Sequence, residues 1–404
     1  MTISVLLVIP NLQIGGAEVT VVNLANSLSR VPGVKVYLLE AYISRNPNLV
    51  QTISPEVIIA SYEPGFLIRI IDSCVNFTGN WFQGKNFRKD RFFHFFQLKY
   101  IRNLLNRTKF DIVNSHLPAA DFFVYQMWDF RKSEPDWKWI VSMHGSYEYY
   151  QFPHPLSKVI FKHVDGVLYL SDKNLRVLSE AEALNPGMKT MKLYNCLGDW
   201  QLRKKNERMI ELPKRSENTF RYILVSRPSI EKGWEEVIHA FIMMFENNQN
   251  VELILCGESD YKVEMQKKYC SYKNIHFIGF CSDPISLMKQ CDVGVLASYF
   301  ESLPYSIMEY LFAGLPVIAT RVGEVPDMLV NPQGLKAGQL IEISESGKPD
   351  VKKLAQCMIE YYNNRALFEN HKNATSTLFE RFNAEKWAAD YIDFCSSLIS
   401  ESHG

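Results

Sequence analysis

The sequence predicts an α/β chain of two doubly wound parallel-sheet domains that face one another across a cleft. Three observations lead there. Short apolar runs alternate with amphipathic helical stretches in both halves, the pattern of parallel strands covered on two faces. The alternation breaks after Gly198 and restarts near Tyr222, across a charged stretch, 199–218, that contains Pro213 and has no clear periodicity. At 404 residues the chain also exceeds a comfortable single core, so two domains of similar size are expected. They are placed at 1–198, joined by a returning C-terminal segment at 386–404, and at 199–385.

Taken in order, the strands of the first half are expected at 5–9, 34–39, 112–115, 139–142 and 166–170. The opening Met1-Thr2-Ile3-Ser4-Val5-Leu6-Leu7-Val8-Ile9-Pro10 has no basic n-region and is too short to span a membrane, so it reads as the first strand. Asn11-Leu12-Gln13-Ile14-Gly15-Gly16-Ala17-Glu18 follows, then a helical stretch at 19–28. Gly15 and Gly16 let the backbone approach a bulky anion and the helix start supplies N–H donors, although a tight strand-to-helix turn asks for the same residues. No Gly-x-Gly-x-x-Gly fingerprint is present, so a dinucleotide is poorly supported. The third strand leads to His116. The fourth runs into Met143-His144-Gly145, where the imidazole either bonds a sugar or phosphate or is an incidental loop histidine.

The second half restarts with strands at 222–225, 251–256, 275–277, 293–297 and 316–320. After the first of these, Val225-Ser226-Arg227-Pro228-Ser229-Ile230-Glu231-Lys232-Gly233 sets two cations on a strand-to-helix loop. The fork of Arg227 and the point charge of Lys232 suit a diphosphate that gains charge as its ester bond breaks; two solvated surface cations are the plain alternative. Glu301 and Glu309, eight positions apart, then flank a helix start with Pro304 at its first position and Gly314 just past its end. A helix start attracts phosphate, and two carboxylates accept hydrogen bonds from sugar hydroxyls. Phosphate beside polyol points to a nucleotide sugar.

Composition removes several classes. Lys plus Arg and Asp plus Glu balance at 44 each, which argues against nucleic acid as a partner. The eight cysteines are scattered, with no Cys-x-x-Cys pair and no zinc spacing, and read as buried reduced thiols. No uninterrupted apolar run reaches spanning length, so a cytoplasmic protein is expected. One local basic surface stands out: 85–109 carries eight Lys and Arg against Asp90, with Phe93, Phe96, Tyr100 and Leu104 at helical spacing. Such a helix lies on an anionic membrane face, or packs its aromatic stripe into the first domain.

The run from Glu301 to Glu309, continued by Gly314-Leu315-Pro316-Val317-Ile318-Ala319-Thr320, resembles the Glu-x7-Glu signature of retaining glycosyltransferases of family 4. Gly-Gly-Ala-Glu at 15–18, His-Gly at 144–145, Cys256-Gly257-Glu258, Phe277-Ile278-Gly279-Phe280 and Gly323-Glu324-Val325-Pro326-Asp327 follow the family's order, and the likeness runs from residue 5 to about 390. The Arg227 to Gly233 loop is similar to the family's Gly-Arg-Leu…Lys-Gly segment, with Ser226 and Pro228 in place of the usual Gly and Leu. The resemblance implies the GT-B fold and transfer of a hexosyl unit, with retained anomeric configuration, from a nucleoside diphosphate sugar, UDP first and GDP next, to a glycan or lipid-linked acceptor. It implies that Arg227 and Lys232 hold the donor phosphates, that Glu309 binds the ribose and Glu301 the donor sugar, that Ser306 lies at the nucleotide, that His144 lies near the donor sugar and that Gly15 and Gly16 wall the donor or acceptor site. Family enzymes need no carboxylate nucleophile, and no Asp-x-Asp occurs, so no metal and no cofactor are expected. A sugar-nucleotide epimerase, a phosphorylase or a catalytically silent carbohydrate-binding subunit are the competing readings.

Overall fold

In the computed structural model, residues 2–13, 15–61, 99–101, 103–105, 107–129, 136–144, 155–202, 210, 212–213, 215, 219–246 and 250–400 are described. The chain divides into two units, Met1–Leu193 with Ala388–Gly404, and Tyr194–Trp387.

The first unit is built on strands β1 (Ile3–Ile9), β2 (Val34–Glu40), β3 (Ile58–Ile59), β4 (Ile112–His116), β5 (Lys138–Met143), β6 (Gly166–Tyr169) and β7 (Lys189–Lys192). All pair in parallel, in the order β3-β2-β1-β4-β5-β6-β7. Val5 to Ile9 are wholly buried, as a central strand covered on both faces requires. Two of these strands escape the sequence pattern: β3 is two exposed residues, and β7, Lys-Thr-Met-Lys, is too polar to read as buried.

The last helix, Ala384–Ser400, contributes Ala388 onward to this unit. Tyr391 is fully buried there and its hydroxyl accepts from Asn114 Nδ2 at 3.0 Å. Phe394 and Leu398 lie over Gly166, where a Cβ would come within 2.9 Å of both. Of the basic stretch at 85–109, positions 85–98 lie outside the described residues. At its far end Ile101 and Leu105 are buried in the first core with Leu104 packed against them, while Tyr100 stays exposed.

The second unit has β8 (Phe220–Val225), β9 (Val251–Cys256), β10 (Ile275–Phe277), β11 (Val293–Leu296), β12 (Val317–Thr320) and β13 (Gly338–Ile341), again parallel, in the order β10-β9-β8-β11-β12-β13. Strand β13, with two glycine-or-glutamine positions in four, carried too little apolar signal to be read from sequence. Trp234, Phe241, Tyr222, Tyr361 and Phe368 fill the core beside the sheet. In each unit the chain leaves its first strand to one side and later returns to the other, so strand order reverses between β1 and β4 and between β8 and β11. Such switch points open crevices beyond the carboxyl ends of the strands, where open α/β sheets bind ligands.

No helix among the described residues is long and apolar enough to cross a membrane. The seven described cysteines are free thiols, five of them buried.

Candidate active site

At the switch point of the second unit, β8 and β11 pair only through Tyr222 with Val293 and Ile223 with Gly294. Beyond that the strands part, and a tyrosine from the helix Tyr305–Ala313 fills the gap. Tyr310 is fully buried; its hydroxyl accepts from the Val225 N–H at 2.9 Å and lies 3.2 Å from the carbonyls of both Ile223 and Val295. The Val225 N–H and one of the two carbonyls, groups that splaying would leave unpaired, are thereby satisfied by one side chain. Gly294 makes the room, since a Cβ there would stand 2.5 Å from the Tyr310 ring. Glu309 is the neighbour of Tyr310 on this helix, so the plug fixes the rotation of the turn that carries it.

Two loops are stitched together above the gap. After β8 the chain runs through a single 3₁₀ turn, Ile230–Lys232, to Gly233, whose φ of 68° is a left-handed value and whose Cβ would come 2.0 Å from the Ala297 carbonyl oxygen. Glycine is required on both counts. The Tyr299 N–H donates to the Glu231 carbonyl at 2.9 Å. Gly323, at φ 50°, lets the loop after β12 close on the Glu301 carbonyl, 2.2 Å from where a Cβ would sit, and the Glu324 N–H donates to the Ser302 carbonyl at 2.9 Å. Tyr194 donates to Glu324 at 2.7 Å.

The side chains of interest project from these loops. Lys232 Nζ donates to Glu301 Oε1 at 2.6 Å, and Ser298 Oγ donates to the same oxygen at 2.7 Å. Both members of the ion pair are largely buried, so removing one strands the other's charge. Arg227 is exposed and has no ion-pair partner among the described residues, which leaves its guanidinium available to an incoming anion. Ser226 and Pro228, the departures from the family's segment, are both accommodated. Trp234 Nε1 donates to Ser226 Oγ at 2.9 Å, and Ser259 Oγ donates to the Pro228 carbonyl at 2.8 Å.

Pro304 stands just before the helix, in extended backbone, and the first helical residue is Tyr305; proline's ring and missing N–H suit either position, so the start moves by one. Pro304, at the cap position, makes no side-chain hydrogen bond to this start. Ser306 lies half-buried in the first turn, where the Ile307 N–H donates to the Pro304 carbonyl at 3.2 Å. Gly314 ends the helix at φ 78°, as expected. Glu309 keeps part of its surface open, yet its carboxyl has lost most of its hydration. Burial first, then the charges of Asp283 and the Cys281 thiol, push its pKa up to about 8. It has no hydrogen-bond partner among the described residues.

In the first unit Gly15 caps the helix Gly16–Leu28 in extended backbone. A Cβ at Gly15 would meet Glu18 Oε2 at 2.4 Å, whereas Gly16 has open space around it. The Glu18 carboxylate thus folds over the helix start, and burial raises its pKa. His116 ends β4 and His144 follows β5; both are buried, with His116 Nδ1 3.1 Å from His144 Nε2. Burial holds the pKa of His144 down at about 4 and that of His116 well below its ordinary value, with the neighbouring ring adding to the effect at His116. Gly145 lies outside the described residues. A cavity of about 960 Å³ in the second unit, lined by Arg321, Lys336, His371 and Arg381 among others, contains none of Arg227, Lys232, Glu301 or Glu309.

Sequence reasoning missed Tyr310, whose apolar position on the helix gave no hint of its hydroxyl's partners, and Ser298, which lies just past the end of a predicted strand.

Two parallel-sheet units of this topology, each with its switch point, define the GT-B class of α/β proteins. The model for glycosyl transferases group 1 matches residues 205–381 and that for glycosyltransferase family 4 matches residues 14–185. Together they take in most of the chain, which belongs to the family 4, group 1 glycosyltransferases. Among curated relatives, an uncharacterized glycosyltransferase of Methanocaldococcus jannaschii is 24% identical over 181 residues, 44% of either chain. A capsular polysaccharide biosynthesis glycosyltransferase of Staphylococcus aureus is 26% identical over 190 residues, 45% of this chain and 47% of that one. The chain thus spans about half the length of these curated relatives. The Anabaena HepE structure in complex with UDP-glucose superposes with a TM-score of 0.67 at 16% identity, over 98% of this chain and 99% of that chain.

Proposed function

We propose that this chain is a retaining glycosyltransferase that moves a sugar from a nucleoside diphosphate sugar, UDP-linked first and GDP-linked next, to a hydroxyl of a glycan or glycolipid in surface polysaccharide assembly. The observation that carries the reading is the Lys232–Glu301 pair at the reversal between β8 and β11, with Arg227 on the same loop as Lys232 and the helix Tyr305–Ala313 starting just after Glu301. A diphosphate brings two negative charges and gains more as the sugar departs; Arg227, Lys232 and the helix N–H groups supply positive potential fixed in place beforehand. Donor phosphate meeting Lys232 competes with Glu301 for the ammonium and frees carboxylate acceptors for the hexose hydroxyls. Glu309, one turn along, takes the ribose diol.

The reaction needs no enzymic nucleophile in this reading, because the leaving phosphate itself takes the acceptor's proton, and the protein cations do the work a divalent ion does elsewhere. The first unit, with Gly15, Gly16 and His144, serves the acceptor and the donor hexose. That UDP-glucose is the ligand crystallised with the Anabaena relative supports trying UDP-sugars first.

Thermal-shift titration with UDP-, GDP- and ADP-sugars tests the donor, since a ligand at 100 times its Kd stabilises by about 2.7 kcal/mol. Proton NMR of the product anomeric centre tests retention, and turnover in the presence of a chelator tests the metal. No shift with any nucleotide sugar, or activity abolished by the chelator, overturns the proposal.

A further inference from the structure

We propose that His116 is a positioning residue: its ring fixes the proton of His144 on Nδ1 and leaves that N–H as the atom offered to a sugar oxygen. This rests on the reading of His144 as a donor-hexose contact.

The two histidines are brought together by strand register. His116 is the last residue of β4 and pairs with Ser142 of β5; His144 lies two residues beyond. Only 1% of His116 and 7% of His144 is exposed. Burial of His116 rules it out as a ligand contact, so whatever it does passes through its neighbour.

Its surroundings point one way. The other polar side chains of β4 and β5 are tied elsewhere: Trp139 Nε1 donates to Ser115 Oγ at 2.9 Å, Ser142 Oγ donates to Asn114 Oδ1 at 3.0 Å, and Asn114 Nδ2 donates to Tyr391. Among the described residues His116 has His144 alone. Its Nδ1 stands 3.1 Å from His144 Nε2, and its own Nε2 is buried without a partner among the described residues. One proton lies between the two facing nitrogens, and there are two ways to place it. If His144 donates, His116 must carry its proton on Nε2, which buries an unpaired N–H. If His116 donates from Nδ1, what remains at its Nε2 is a bare lone pair. Buried donors without partners are the rarer defect, which favours the second arrangement. His144 then accepts at Nε2 and carries its proton on Nδ1, the bond made by one ring nitrogen setting the state of the other. His144 Nδ1 has no partner among the described residues.

The backbone pays strain at this spot. Leu117, directly after His116, has φ 76°, a left-handed value that a leucine rarely adopts. Its carbonyl accepts from the N–H groups of Ala120 and Asp121 and so opens the helix Pro118–Asp129 at once. Non-glycine residues held this way cluster where a side chain must be aimed.

The test is nitrogen NMR of the ¹⁵N-histidine-labelled full chain, beside turnover with UDP-glucose as the probe donor. In the native protein His144 should show a protonated-type Nδ1 and a bare Nε2. His116→Leu should lose that pattern and lower kcat about 10-fold, the scale of one hydrogen bond, with the donor KM changed far less. His116→Asn, whose amide nitrogen falls near the position of Nδ1, should restore the Nδ1 proton and recover most of kcat. A native His144 protonated on Nε2, or a His144 tautomer unchanged in His116→Leu, overturns the proposal; the native spectrum decides even if the leucine variant does not fold. His144→Ala with undiminished turnover would instead sink the hexose-contact reading, a failure visible separately because the spectra do not depend on activity.

Discussion

Donor binding should expel a proton from Glu309. Titrating at about 8, that carboxyl is roughly nine-tenths protonated at pH 7 in the free protein. Two ribose hydroxyls donating to it would favour the carboxylate and bring the group back toward its ordinary range. Binding at pH 7 then releases roughly 0.9 proton, and between pH 6 and 7 affinity rises about tenfold, one proton per binding event. Isothermal titration with UDP-glucose, whose phosphates do not titrate near neutrality, reads this directly when repeated in buffers of different ionisation enthalpy. The slope of observed against buffer enthalpy is the number of protons. Glu309→Gln should flatten that slope and the pH dependence of Kd. A native slope near zero, or a Gln variant with an undiminished slope, would refute the assignment of Glu309 to the nucleotide. The sign for the free protein is opposite: because the folded pKa lies above the unfolded one, Glu309 costs stability progressively as pH rises from 4.5 to about 8.

Other outcomes are expected. Tyr310→Phe leaves the Val225 N–H buried and unpaired and should cost about 1–3 kcal/mol in urea unfolding, with weakened donor binding because the turn carrying Glu309 is no longer pinned. Arg227→Ala, Lys232→Ala and Glu301→Ala should each lower turnover at least ~100-fold, the scale of losing one preorganised electrostatic contact; native kinetics in all three would remove the site. Lys232→Met with Glu301→Gln should unfold at higher denaturant than either single variant, because the double change leaves no stranded charge. The buried histidines work against acid: their folded pKa values lie below the unfolded one, so their contribution is whole above about pH 6.5. It is lost as pH falls from there toward about 4, at about 1.4 kcal/mol per pH unit for His144 alone. His144→Gln should shrink that acid-side loss, as measured by denaturation at successive pH values.

Ten strands and the order of the motif loops were legible because buried parallel strands are continuous apolar runs and because chemistry follows their carboxyl ends. Strands such as β3 and β7 were not, since an edge position needs little apolar content. Arg227, Lys232, Glu301 and Glu309 could be named from residue type and spacing, but their mutual relations could not. That Lys232 holds Glu301 while Arg227 stays open depends on how Gly233 brings two distant loops within touching distance. The histidine pair shows the same limit, because 28 positions of sequence separate rings that the register of β4 on β5 makes neighbours.

The close approach of the Tyr310 ring to Gly294 means that these two positions cannot drift independently. Bulk gained on the strand would have to be surrendered on the helix, and a smaller residue on the helix abandons the hydroxyl that seals the parting of β8 and β11. A library that randomises both sites together should return glycine with tyrosine far more often than either frequency alone would give, which makes the pair a compact test of whether selection acts on the seam beneath the donor rather than on the contacts above it.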